Sequence, residues 1–198
     1  MKFLTVIFFL VSFTANAQTG TDSTFFSRLY LPFGAGSSAT DDSKTYSGKV
    51  LLSGFEYRFK KTNGLFFRFN FDYRLQHYKF AGNSTYNVSE GRLEFNDFLI
   101  GLGNRLGKKK LRTFGLIQGG ITSYKYLVVS GKGNDYKLSE VKNETPAFRG
   151  TMGLEYYLNS NLAFTFESSY TIIPTYAIFW DKRLSIVEFS LGFTTTLF

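Results

Sequence analysis

Between Leu65 and Leu75 the chain reads LFFRFNFDYRL, and from Phe67 onward large apolar side chains hold every odd position while Arg68, Asn70, Asp72 and Arg74 hold the even ones. A period of two sends successive side chains to opposite faces of a strand, so the segment predicts a β-strand with one aromatic and one charged face. The same period recurs along the chain. Phe55, Tyr57 and Phe59 alternate with Gly54, Glu56 and Arg58, and Phe148, Met152, Leu154 and Tyr156 share a phase opposite to Arg149, Gly153 and Glu155. Leu162, Phe164, Phe166 and Tyr170 lie opposite Glu167, and Val187, Phe189, Leu191 and Phe193 lie opposite Glu188. With the turn chemistry between them, these patterns predict eight strands at about 25–33, 47–60, 65–80, 92–105, 111–128, 146–158, 162–173 and 184–198. The phase of the first, fourth and fifth is open. Pro32 falls late in the first strand, and FGLIQGGITSYKYLV (114–128) fits either phase or a bulge.

The connections alternate in length. After strands two, four and six they are short, KKTNG (60–64), LGKKK (106–110) and NSN (159–161), and after the odd-numbered strands they are longer. This predicts an antiparallel up-and-down meander with its tight turns at one rim and its long loops at the other. Most segments exceed the 5–6 residues usual in soluble strands and reach the roughly 9–11 that a tilted strand needs to cross hydrocarbon.

Alternation does not say which face is outside, because a soluble barrel alternates with its apolar face inward. Three features choose. Gly54 and Gly153 lie on the polar face, as do Gly101 and Gly103 in the expected phase of strand four, and in a narrow bore small residues make room for large ones. The charges on that face are five carboxylates (Glu56, Asp72, Glu155, Glu167, Glu188) and four arginines (Arg58, Arg68, Arg74, Arg149), with no lysine. Arginine's planar fork suits crowded pairing with carboxylates, whereas lysine suits open water. Finally, the apolar face carries more bulk than an eight-stranded bore can hold. The aromatic face therefore belongs outside, against lipid, with tyrosines such as Tyr57, Tyr73, Tyr156 and Tyr170 near its margins. Pairing residues equidistant from position 62 sets Glu56 opposite Arg68 and predicts an ion pair inside.

Composition agrees with a β protein. The 24 Phe and 13 Tyr supply nearly all of a 19% aromatic content. Residues 1–17, MKFLTVIFFLVSFTANA, read as a secretory signal peptide: Lys2, an apolar run too short to span a bilayer, then Ala15-Asn16-Ala17. The barrel domain is then 18–198, and removing Lys2 lowers the net charge from +8 to +7 because residues 1–17 contain no acid. The remaining basic residues are scattered apart from GKKK (107–110), and with the export signal no nucleic-acid partner is expected. The chain has no cysteine, which leaves no disulfide framework and no lipid-modified cysteine.

On its signal peptide, eight patterned strands, alternating connections, glycine-bearing strands such as DFLIGLGNRLG (97–107) and terminal Phe198, the chain resembles the small outer-membrane β-barrel family of Gram-negative bacteria, the OmpA-membrane-domain and porin-like barrels. The resemblance covers residues 18–198. It implies residence in the outer membrane, with short turns and both termini periplasmic and long loops extracellular. It also implies contact with outer-membrane lipid and lipopolysaccharide, and recognition by the outer-membrane assembly machinery through the strand ending at Phe198. Phe198 is out of phase with Val187, Phe189, Leu191 and Phe193, so a bulge at Thr194–Thr196 or a frayed end is expected.

Candidate chemistry is sparse. His77 is the only histidine; lipid-modifying barrels pair a histidine with a serine or acid, but no serine shares its strand, so no catalytic residue is assigned. Tyr176, Phe179, Trp180 and Lys182 form an aromatic and basic loop cluster, a candidate contact for lipopolysaccharide or protein, or an interfacial anchor. Asn83, Asn87 and Asn143 match sequons of a pattern that arises by chance, and GKGND (131–135) lacks the spacing of a phosphate loop. The expected protein is a monomeric, non-catalytic barrel with a structural or surface-interaction role, no cofactor and no metal, its interior closed by Arg/Glu/Asp pairing. A narrow passive pore is the alternative, and a lipid-modifying enzyme the third reading.

Overall fold

A strand with an apolar and a charged face needs a partner on each edge and a different surrounding on each side, and closure of the sheet supplies both. The computed structural model describes residues 26–40, 47–60, 63–79, 90–132, 135–174 and 183–196. The expected leader at 1–17, the loop cluster at Tyr176, Phe179, Trp180 and Lys182, the sequons at Asn83 and Asn87, and Phe198 lie outside these residues. After a single 3₁₀ turn, Phe26–Arg28, come eight strands: β1 (Leu29–Thr40), β2 (Gly48–Arg58), β3 (Gly64–Lys79), β4 (Glu90–Lys108), β5 (Leu111–Lys132), β6 (Asp135–Tyr157), β7 (Leu162–Pro174) and β8 (Arg183–Thr196). Each pairs antiparallel with the next, and β1 closes the barrel on β8 from Tyr30↔Thr196 to Thr40↔Ile186.

Three sequence expectations need correction. First, β1 begins at Leu29 and runs to Thr40, so Pro32 stands near its start. The stretch from Gly34 to Ser38 reads as linker because it lacks bulk, yet closure gives it a paired neighbour on both edges, β2 and β8. Second, residues 130–145 are not a loop. β5 and β6 pair without interruption from Leu111↔Tyr156 to Lys132↔Asp135, which leaves only Gly133 and Asn134 between them. Strands of 22 and 23 residues are about twice the length a tilted strand needs to cross hydrocarbon, and in the sequence the apolar/polar alternation that marks the other strands fades along 130–145. Third, of the alternatives left open the bulge falls away: β5 keeps one register along its length, and β8 stays in register through Thr195↔Leu162 and Thr196↔Tyr30, while the end at Phe198 lies outside the described residues.

The inside-out arrangement is plain in the burial pattern. Phe55, Phe67, Phe71, Phe148, Met152, Phe166, Phe189 and Leu191 are exposed on the outer wall, and Ile117 keeps 78% of its surface. Outer rings pack on one another across strands, as in Phe71 against Phe98 with centroids 5.5 Å apart. Inside, Gly103 and Gly153 make room for rings. A Cβ on Gly103 would lie 2.2 Å from Phe66 Cζ, and one on Gly153 would lie 2.2 Å from Phe114 Cζ. The two rings meet edge to face at 5.8 Å.

Candidate functional site: the barrel interior

The nine charged residues expected on the polar face (Glu56, Arg58, Arg68, Asp72, Arg74, Arg149, Glu155, Glu167 and Glu188) all lie inside the barrel and are buried. Two more join them, Asp97 and Arg105 on β4, each 1% exposed. Their phase is that of Gly101 and Gly103, so extending the glycine phase along β4 is the signal that finds them. Apolar residues on both faces of β4, Leu93, Phe95 and Leu99 inside and Phe98, Ile100 and Leu102 outside, obscure it.

The eleven groups form two layers. Toward the short turns, Glu56 is gripped by three arginines. Its Oε1 accepts from Arg58 Nε and Arg105 Nη2, both at 2.5 Å, and its Oε2 accepts from Arg68 Nε at 2.9 Å. Across the bore, Glu155 Oε1 accepts from Arg58 Nη2 at 3.0 Å and Arg105 Nη2 at 3.1 Å, while Tyr157 Oη donates to its Oε2 at 3.0 Å. Arg68 Nη1 reaches Glu167 Oε1 at 2.7 Å. The guanidinium planes lie near aromatic faces: Arg58 3.4 Å from the Tyr30 centroid, Arg105 4.9 Å from Phe66 and Arg68 4.9 Å from Phe114. Three arginines thus meet three glutamates in a buried, aromatic-walled layer.

The second layer, nearer the long connections, sets Arg74 and Arg149 among Asp72, Asp97 and Glu188. Arg74 Nη2 donates to Asp97, Arg149 Nη1 donates to Asp72, and Arg149 Nη2 donates to Asp97 at 2.7 Å. Arg74 Nε stands 3.0 Å from Glu188 Oε1. Neutral donors complete the carboxylates: Thr122 to Asp97 at 2.5 Å, Ser169 to Glu188 at 2.8 Å and Asn70 to Asp72 at 3.2 Å. Gln118 donates to Asn70 at 2.8 Å. Next to Arg68, Asn70 and Glu167 is a void of about 10 Å³, room for one water. Among the described residues no three or more His, Cys, Asp or Glu side chains converge to hold a metal ion.

The long-loop end of the bore is filled by apolar side chains, which the reading of a polar interior closed by Arg/Glu/Asp pairing did not anticipate. Leu93, Phe95, Leu99, Tyr124, Tyr126, Ala147, Ile173, Leu184 and Ile186 form one buried cluster there. His77, by contrast, is exposed on the outer face of β3, opposite Arg92 in the β3–β4 register and away from the interior groups. Asn143 has the inward phase on β6 and hydrogen-bonds Tyr124.

Fold and interior together define an eight-stranded antiparallel transmembrane β-barrel whose lumen is packed with paired charges. Comparison with solved structures agrees at the level of fold. The chain is similar to Neisserial surface protein A (TM-score 0.55, 15% identity, covering 86% of this chain and 97% of that one). It is similar to the outer membrane protein OprG from Pseudomonas aeruginosa (TM-score 0.53, 14% identity, 84% and 94% covered) and to Ail, the attachment invasion locus protein of Yersinia pestis (TM-score 0.50, 12% identity, 84% and 99% covered). No family model matches the sequence, and no curated protein matches it.

Proposed function

We propose that the protein is a non-catalytic outer-membrane barrel with a structural or surface-interaction role, its lumen sealed rather than conducting. The observation that carries this reading is the burial of the ionic layers: Glu56, Arg58, Arg74 and Glu155 are each 0% exposed. An open channel would hydrate these groups, whereas here each is ion-paired, and the apolar cluster covers the layers on the long-loop side. The orientation follows the family resemblance, with tight turns and termini in the periplasm and the long connections outside. In that orientation the β5–β6 ribbon stands above the membrane surface as the element best placed to meet lipopolysaccharide or another surface. That Ail was solved in complex with a heparin analogue gives a precedent on this fold for a polyanionic ligand.

Planar-bilayer recordings of the refolded protein test the sealed lumen. The expected trace is flat at applied potentials that leave the bilayer intact; reproducible unitary current steps would replace the sealed reading with that of a narrow pore.

A further inference from the structure

The rim bearing the tight turns is chemically one-sided. Arg28, Lys60, Lys108, Lys109 and Lys110 stand along it, and the described residues of that rim (26–28, 59–60, 63–65, 106–112, 156–163 and 194–196) contain no Asp or Glu. Because β1 to β5 are neighbours in order, these groups form a continuous arc, while β6 to β8 contribute Asn159, Ser160, Asn161 and threonines. The turns under the arc are tied together: Asn63 Nδ2 donates to Gly107 O at 2.8 Å, and Arg28 Nη1 donates to Phe59 O at 3.1 Å. At the opposite rim two lysines are matched, Lys125 with Glu140 at 3.2 Å and Lys142 with Glu144 at 3.3 Å. Among the described residues no ion pair involves Lys60, Lys108, Lys109 or Lys110.

Two further features give the arc a direction. Directly below it the outer wall is bare apolar surface, with Phe59, Leu65, Leu106 and Leu111 all exposed. Ammonium groups just beyond an apolar belt sit at the depth of lipid headgroups. In addition, Lys109 has φ +55°, the left-handed region where glycine or asparagine is the low-cost choice. The turn keeps a lysine at a backbone cost, and a site that keeps such a cost is where function is to be sought.

We infer that this arc binds the anionic phosphate headgroups of phospholipids in the leaflet facing the tight turns, fixing the depth of the barrel on that side. The inference rests on the membrane reading above, and its test separates the two. The protein is reconstituted in phosphatidylcholine vesicles containing a minor fraction of phosphatidylglycerol, and association of spin-labelled phosphatidylglycerol is compared with that of spin-labelled phosphatidylcholine. The wild type should favour phosphatidylglycerol about five-fold at low salt, the ratio given by one close lysine contact, and lose the preference at molar salt. The variant K108Q/K109Q/K110Q should fall toward equal association. Lys109→Asn should weaken the preference without lowering the urea midpoint, since asparagine suits the left-handed turn. Equal association by the wild type, or a preference untouched in K108Q/K109Q/K110Q, overturns the inference. So does displacement of the labelled lipid by millimolar inorganic phosphate, which would make the arc a free-phosphate site. Failure to insert into pure phosphatidylcholine vesicles would count against the membrane reading itself, whereas insertion without selectivity counts only against the arc.

Discussion

Replacing Glu56 by Gln removes one negative charge and almost no volume, so it isolates the electrostatics of the layer nearest the turns. In the native barrel Glu56 accepts from Arg58, Arg105 and Arg68, and all four side chains are at most 1% exposed. After the change three guanidinium groups share Glu155 and Glu167, and the new amide turns two N–H donors toward a wall of donors. Breaking a buried pair by removing one partner costs about 3–5 kcal/mol, and with all four side chains buried little of that is recovered by hydration. For a urea slope of about 2 kcal/mol/M the unfolding midpoint should fall by about 1.5–2.5 M. The assay is equilibrium unfolding of the barrel in lipid vesicles, followed by far-ultraviolet circular dichroism and by the heat-dependent shift of the folded band on gels. Removing Arg68 as well, in E56Q/R68M, restores equal numbers of charges in that layer, so the double variant should lose less than the sum of the two single changes. A midpoint for Glu56→Gln within about 0.3 M of wild type would show that the carboxylate is solvated, and the sealed interior would fall with it.

Two other changes probe the two faces of the wall. Gly153→Val drives a side chain into the Phe114 ring and should cost about 1–3 kcal/mol in the same unfolding assay, with Phe114→Ala in the same chain returning part of the loss; a Gly153→Val barrel as stable as wild type would contradict the packing. Ile117→Arg places a cation on the most exposed part of the outer wall and should cost about 2–4 kcal/mol in vesicles if that position is near the bilayer midplane, whereas no measurable cost would mean that this surface meets water.

Much of this architecture is legible in the order of residues, because its rule is local. A period of two needs only neighbours along one strand, and the contrast of Phe67, Phe69 and Phe71 with Arg68, Asp72 and Arg74 therefore predicts both the strand and the side facing lipid. A tight hairpin is local too: the turn near Asn63 predicts Glu56 opposite Arg68, and these residues are cross-strand partners in the β2–β3 register. The absence of lysine among the expected interior charges and the glycines on the polar face likewise point to a crowded, closed bore, and Gly153 shows how the room is used.

The remainder depends on closure. Arg58 meets Glu155 and Arg68 meets Glu167 across the bore, 97 and 99 residues apart in the chain, and no pattern within one strand or hairpin encodes those pairings. The same holds for β1, whose small residues become a strand only because β8 returns to its free edge, and for the inner apolar cluster, whose members come from β4, β5, β6, β7 and β8. Asp97 and Arg105 stay hidden for a related reason: β4 is apolar on both faces, and its phase becomes visible only when neighbouring strands show which side is enclosed. Local alternation carries the choice of inside and outside because that choice is made one residue at a time; the partners of each buried charge are set by the circumference, which exists only once the eighth strand has met the first.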